Sequence, residues 1–90
     1  MTKYQLLIVN DRIWNRDLRR IPKNIYLSLK EKILNLVDFP EQGDIKKLSS
    51  NFTADYRLRV GRYRILFDVD ENSKKILLYR VLHRSCSYRM

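Results

Sequence analysis

The sequence predicts an α+β fold of order β-α-α-β-β-β, a helical hairpin packed on one face of a small, largely antiparallel sheet. Three features predict it: two stretches of helical spacing parted by Ile21-Pro22, three strand-like stretches between residues 55 and 83, and a short apolar run near the N-terminus. The chain has 90 residues, of which 44% are hydrophobic. That is enough for one modest core, and residues 1–90 are expected to form a single domain. Two Gly and two Pro argue against a low-complexity or disordered chain.

Residues 3–9, KYQLLIV, read as the first strand, closed by Asn10-Asp11. Residues 11–20 place Ile13, Trp14 and Leu18 at helical spacing, with Asn10 or Asp11 as the N-cap. Pro22 suits the first turn of a second helix over 23–38. Its stripe is Ile25, Leu29, Ile33, Leu36 and Val37, widened by Leu27 and Leu34, and Phe39-Pro40 ends it. Residues 40–54 carry Pro40, Gly43, Asp44, Ser49, Ser50 and Asn51 and read mostly as loop, pinned by Leu48 and Phe52. Residues 55–60 alternate strictly, with Tyr56, Leu58 and Val60 on one face and Arg57 and Arg59 on the other. Gly61-Arg62 is a tight connection. Residues 63–69 put Tyr63, Ile65, Phe67 and Val69 on the apolar face and Arg64, Leu66 and Asp68 on the other. After a turn at 70–73, the last strand spans 75–83, with Leu77, Tyr79 and Val81 expected in the core.

Nineteen Lys and Arg against ten Asp and Glu give a net charge of +9. An excess of this size favours a polyanionic partner, and the placement of the charges decides which. No apolar run approaches the ~20 residues of a membrane helix, and no membrane partner is expected. The opening residues MTKYQLLIVNDR lack a signal-peptide pattern, so a cytoplasmic location is expected. A lone cysteine, Cys86, excludes an intrachain disulfide, and no metal or other cofactor is expected. GxSxG, HExxH, Walker and GxGxxG patterns are absent, and His83 is the one histidine. Any catalysis must rest on Arg, Lys, Tyr and His83.

The alternation supplies a candidate site. Arg57, Arg59 and Arg64 project from the sheet face that the helices leave open, Arg80 joins them if the last strand keeps its pleat, and Arg84 follows at its end. Such a group of guanidinium groups repels itself unless an anion visits, and the planar fork of arginine suits phosphate.

Two segments resemble one family. Residues 56–67, YRLRVGRYRILF, are similar to the central signature of the RelE/ParE toxin superfamily, and residues 81–89, VLHRSCSYR, to its C-terminal signature of His-Arg followed by Tyr. Lys47-Leu48, the two preceding helices and the chain length also fit. The resemblance implies the RelE-like fold and a toxin neutralised by a cognate antitoxin. In the RelE branch it implies metal-independent, ribosome-dependent cleavage of mRNA in the A site. It assigns catalytic roles to Arg64, Arg84 and Tyr88 and phosphate contacts to Arg57 and Arg59; Arg80 and His83 complete the RNA-binding set. His83 points with Val81, which favours packing over acid–base work. Basic helix residues Arg12, Arg16, Arg19, Arg20, Lys23, Lys30 and Lys32 would contact rRNA. Arg57 and Arg59 stand where the best-known members carry lysines, and a guanidinium with a pKa above ~12 is no general base. The competing readings are a ParE-like inhibitor of DNA gyrase without nuclease activity and a non-catalytic RNA-binding module.

Overall fold

The computed structural model describes residues 3–39, 45–48 and 54–85. Its elements are β1 (Gln5–Ile8), α1 (Asp11–Arg19), α2 (Lys23–Leu34) continuing into a 3-10 turn (Asn35–Asp38), β2 (Ile45–Lys47), β3 (Tyr56–Val60), β4 (Tyr63–Asp70) and β5 (Lys75–His83). The sheet runs β1-β5-β4-β3-β2. β1 lies parallel to β5, and the other neighbours are antiparallel.

Local chemistry sets the helix ends. Asn10 is extended at φ −136°, ψ 102°, and its side-chain oxygen accepts the Ile13 N–H at 3.2 Å, which caps α1. Pro22 stands one position before the first turn of α2, not within it, and its carbonyl accepts from Ile25 and Tyr26. The core gathers Trp14 of α1, Leu29 and Ile33 of α2, Leu36 of the 3-10 turn, and Leu58, Val60, Ile65, Phe67, Ile76, Leu78 and Val81 of the sheet. Phe67 is enclosed by rings: Tyr56 stacks on it at 5.5 Å, and Phe39 meets it edge-on at 6.0 Å.

Three expectations need correction. Leu27 and Leu34 do not widen the buried stripe; they are 70% and 53% exposed. At 100° per residue they lie about 160° and about 140° round the helix from Leu29, beyond the face that meets the sheet. The 40–54 stretch is not all loop, because Ile45–Lys47 pair with β3, Ile45 opposite Leu58 and Lys46 opposite Arg57. Three residues are too few to show alternation, so this strand is made by its partner. The loop residues Pro40, Gly43, Asp44, Ser49, Ser50, Asn51 and Phe52 lie outside the described residues. Finally, Leu77 and Tyr79 are not core residues of β5; Ile76, Leu78 and Val81 are. The register shifts where Leu66 faces Arg80 and Phe67 faces Leu78, so β5 carries one extra residue there and the alternation changes phase.

Gly61 closes the β3–β4 turn at φ +59°, a conformation that favours glycine. Among the described residues no helix is long and apolar enough to cross a membrane. Truncation should separate the two faces of α2: Leu29→Ala should lower unfolding free energy in urea by about 2–5 kcal/mol, whereas Leu27→Ala should stay within about 0.5 kcal/mol.

Candidate functional site

The site follows from the pleat of β3 and β4. Leu58, Ile65 and Phe67 are fully buried beneath the helices. Their sequence neighbours therefore face the other way. Register pairs Arg59 with Arg64 and Arg57 with Leu66. One strand outward, Lys46 stands opposite Arg57. The result is a row of Lys46, Arg57 and Leu66 across three strands, with Arg59 and Arg64 in the next row. Leu66 is 1% exposed yet lies outside the core cluster, so this second face has an apolar floor flanked by long basic side chains.

The Arg64 guanidinium is turned toward the β3–β4 link, with Nη1 donating to the Tyr63 carbonyl at 3.2 Å and to that of Gly61 at 3.4 Å. The Arg84 backbone N–H donates to the Arg62 carbonyl at 2.6 Å, which ties the end of β5 to the same link. Arg59, Arg64 and Arg84 thus share one end of the sheet. Tyr88 lies outside the described residues.

Arg80 differs from the other arginines. It faces Leu66 in register, but its guanidinium grips Asp17 of α1 through Nε to Oδ2 at 2.7 Å and Nη2 to Oδ1 at 3.0 Å. Asp17 is 3% exposed, and its Oδ2 also accepts the Val81 N–H at 3.0 Å. The expected set of like charges awaiting an anion therefore does not include a free Arg80; its charge is met by a carboxylate within the fold. His83 sits on the helix side, opposite Tyr63 and edge-on to it at 5.2 Å. Its Nδ1 accepts the Ser85 N–H at 3.2 Å and lies 2.8 Å from the Ser85 hydroxyl. His83 thus packs in phase with Val81, on the side away from Arg64, and does not join the arginine face as the expected RNA-binding set had it. The seven basic helix residues from Arg12 to Lys32 are all exposed.

One phenol on the second face is fixed in its acid form. Tyr79 donates to Asp68 Oδ2 at 2.8 Å, while Asp68 Oδ1 accepts the Asp55 N–H at 2.6 Å. Burial and the bond to this carboxylate push the Tyr79 hydroxyl up to about 12.

Such a face can hold phosphates by charge-assisted hydrogen bonds and stabilise negative charge on them. Comparison with known proteins places the chain in a family. The family described as the ParE toxin of type II toxin–antitoxin systems matches residues 11–88. The chain belongs to the RelE/ParE toxin superfamily. Toxin RelE of Mycobacterium tuberculosis is 29% identical over 76 residues, 83% of this chain and 77% of that protein. A chain of the RelB–RelE antitoxin–toxin complex from Methanococcus jannaschii is 31% identical, covers 88% of this chain and 91% of its own, and superposes with a TM-score of 0.67. A RelB–RelE-type complex from M. tuberculosis, at 24% identity, shares the fold with a TM-score of 0.72 over 91% of this chain and 99% of its own.

Within this RelE-like toxin fold, two residues escaped the sequence reading. Asp17 carried a signal, an acid three residues after Trp14 on an apolar helix stripe. Lys46 carried none, because its strand was not legible. Asp17→Ala should lower unfolding free energy by about 3–5 kcal/mol, since it strands a partly buried guanidinium and a backbone donor; a urea midpoint near wild type would contradict this. In a spectrophotometric titration Tyr79 should ionise late, near pH 12. A pKa raised in the fold contributes stability below the ordinary tyrosine pKa of about 10 and loses it as pH rises toward 12. Tyr79→Phe should therefore remove both the late transition and that part of the alkaline destabilisation.

Proposed function

We propose that residues 1–90 act as one toxin domain, a ribosome-dependent endoribonuclease that cleaves mRNA in the A site and is neutralised by a cognate antitoxin. The observation that carries this reading is the shared sheet face of Arg57, Arg59 and Arg64, built by register and set apart from the helices. In the proposed reaction the 2′-hydroxyl of one nucleotide attacks the adjacent phosphorus. The bond to the 5′-oxygen of the next nucleotide breaks, leaving a 2′,3′-cyclic phosphate and a 5′-hydroxyl end. The proton lost by the 2′-oxygen is matched by the one gained at the leaving oxygen. Arg64 and Arg84 stabilise the charge that builds on the phosphoryl oxygens, Arg57 and Arg59 hold neighbouring phosphates, and Tyr88 stacks on a base or relays a proton. No step calls for a metal.

The antitoxin is expected to bring acidic residues to the arginine face, where charge complementarity favours fast, salt-sensitive association. Both the antitoxin and mRNA cleavage draw support from the likeness to RelE and to chains of RelB–RelE complexes. The ParE description of the matching family keeps gyrase inhibition as the competing reading. An assay with programmed ribosomes beside a supercoiling assay separates the two. Arg64→Ala should lower mRNA cleavage about 10²–10³-fold, the usual effect of losing one donor to a transition-state oxyanion, with the melting temperature close to wild type. Intact mRNA under the wild-type protein, together with blocked supercoiling, would replace this reading with the gyrase one.

A further inference from the structure

We propose that Lys46 is a phosphate-binding residue that carries the cation face onto the edge strand β2, so that RNA bound at Arg57, Arg59 and Arg64 continues across β2. The inference rests on the RNA-cleaving reading above and adds a residue to its binding track. Lys46 is exposed and is the direct cross-strand partner of Arg57. Arg57 in turn is the partner of Leu66, two residues along β4 from Arg64. Adjacent strands lie about 4.8 Å apart and alternate residues on a strand about 7 Å. Arg64, Arg57 and Lys46 therefore step across three neighbouring strands, within reach of successive phosphates of one chain.

The next residue supplies an internal control. Lys47 is equally exposed, but it pairs with Tyr56, which packs against the core, so it points to the helix side. Lysines also guard edge strands against unwanted pairing. That role would treat Lys46 and Lys47 alike, whereas a phosphate track uses Lys46 alone.

The probe is a fluorescent single-stranded 2′-O-methyl RNA hexanucleotide, which binds without being cleaved. Lys46→Gln should raise its Kd about threefold to tenfold at low salt and lower the slope of log K against log[salt] by about 0.7, the loss of one phosphate contact. Lys47→Gln should leave both unchanged, and Lys46→Arg should restore them. On programmed ribosomes the Lys46→Gln effect should fall on KM with kcat retained, since a flanking phosphate is held equally before and during the reaction. Equal effects of Lys46→Gln and Lys47→Gln, or none from Lys46→Gln, would overturn the proposal while leaving mRNA cleavage standing. A wild-type protein that neither binds the probe nor cleaves mRNA would remove the RNA reading itself, and this inference with it.

Discussion

The two-residue pleat of β3 and β4 is the constraint on which the rest depends. It sends Leu58, Val60, Ile65 and Phe67 under the helices and Arg57, Arg59 and Arg64 to the other face. A slip of one residue would drive the arginines into the core, where an ion loses several kcal/mol of solvation. The register is thus enforced by the same residues that make the site. Arg59 directly opposite Arg64 is unfavourable as a cross-strand pair. Apolar burial on the far side holds the two there. A local conflict tolerated inside an otherwise consistent pattern is the usual mark of a functional position.

On β5 the pleat alone does not suffice, because the strand gains a residue beside Leu66 and changes phase. The clamp at Asp17 secures this irregular stretch. β1 pairs with β5 only from Lys75 to Leu78, and the Val9 N–H makes a last bond to the Leu78 carbonyl. Beyond that point the chain has turned into α1, and the Val81 N–H on the uncovered edge would have no strand partner. Asp17 reaches down from α1 to accept it and takes the Arg80 guanidinium with its remaining capacity. One carboxylate thus satisfies a backbone donor, neutralises a cation and fixes the first helix to the sheet.

How much of this was legible in the sequence depends on the length of each signal. β3 and β4 alternate over five and eight residues, and both the strands and the faces of their arginines could be read directly. β2 has three residues, and only its pairing with β3 makes it a strand, so Lys46 stayed hidden within an apparent loop. The core face of β5 was misread from Leu77 because a bulge leaves no trace in an apolar run that reads equally well in either phase. Leu27 and Leu34 looked buried because leucine on a helix near an apolar stripe is ambiguous until the neighbouring elements fix the width of that stripe. The ion pair needed long-range information, since Asp17 and Arg80 stand 63 positions apart.

The chemistry of the second face also limits what the protein does unaided. Its guanidinium groups donate hydrogen bonds and hold charge, but they do not accept a proton near neutral pH. Tyr79 is tied to Asp68 and stays protonated to about pH 12, so it is no base either. His83 lies on the helix side with Nδ1 engaged by Ser85. Among the described residues, what remains is a surface suited to gripping phosphates and stabilising a charged transition state, with weak means of starting proton transfer. Under the proposed activity, the missing part of the barrier must come from orientation. The attack is already intramolecular, so what orientation supplies is the selection of the backbone conformer that holds the 2′-oxygen in line with the phosphorus and the leaving oxygen. In the proposed reaction the ribosome would supply that geometry to mRNA, whereas a free RNA strand samples many backbone conformations over the same arginines. The ribosome dependence proposed above then fits a face whose described side chains hold charge better than they move protons.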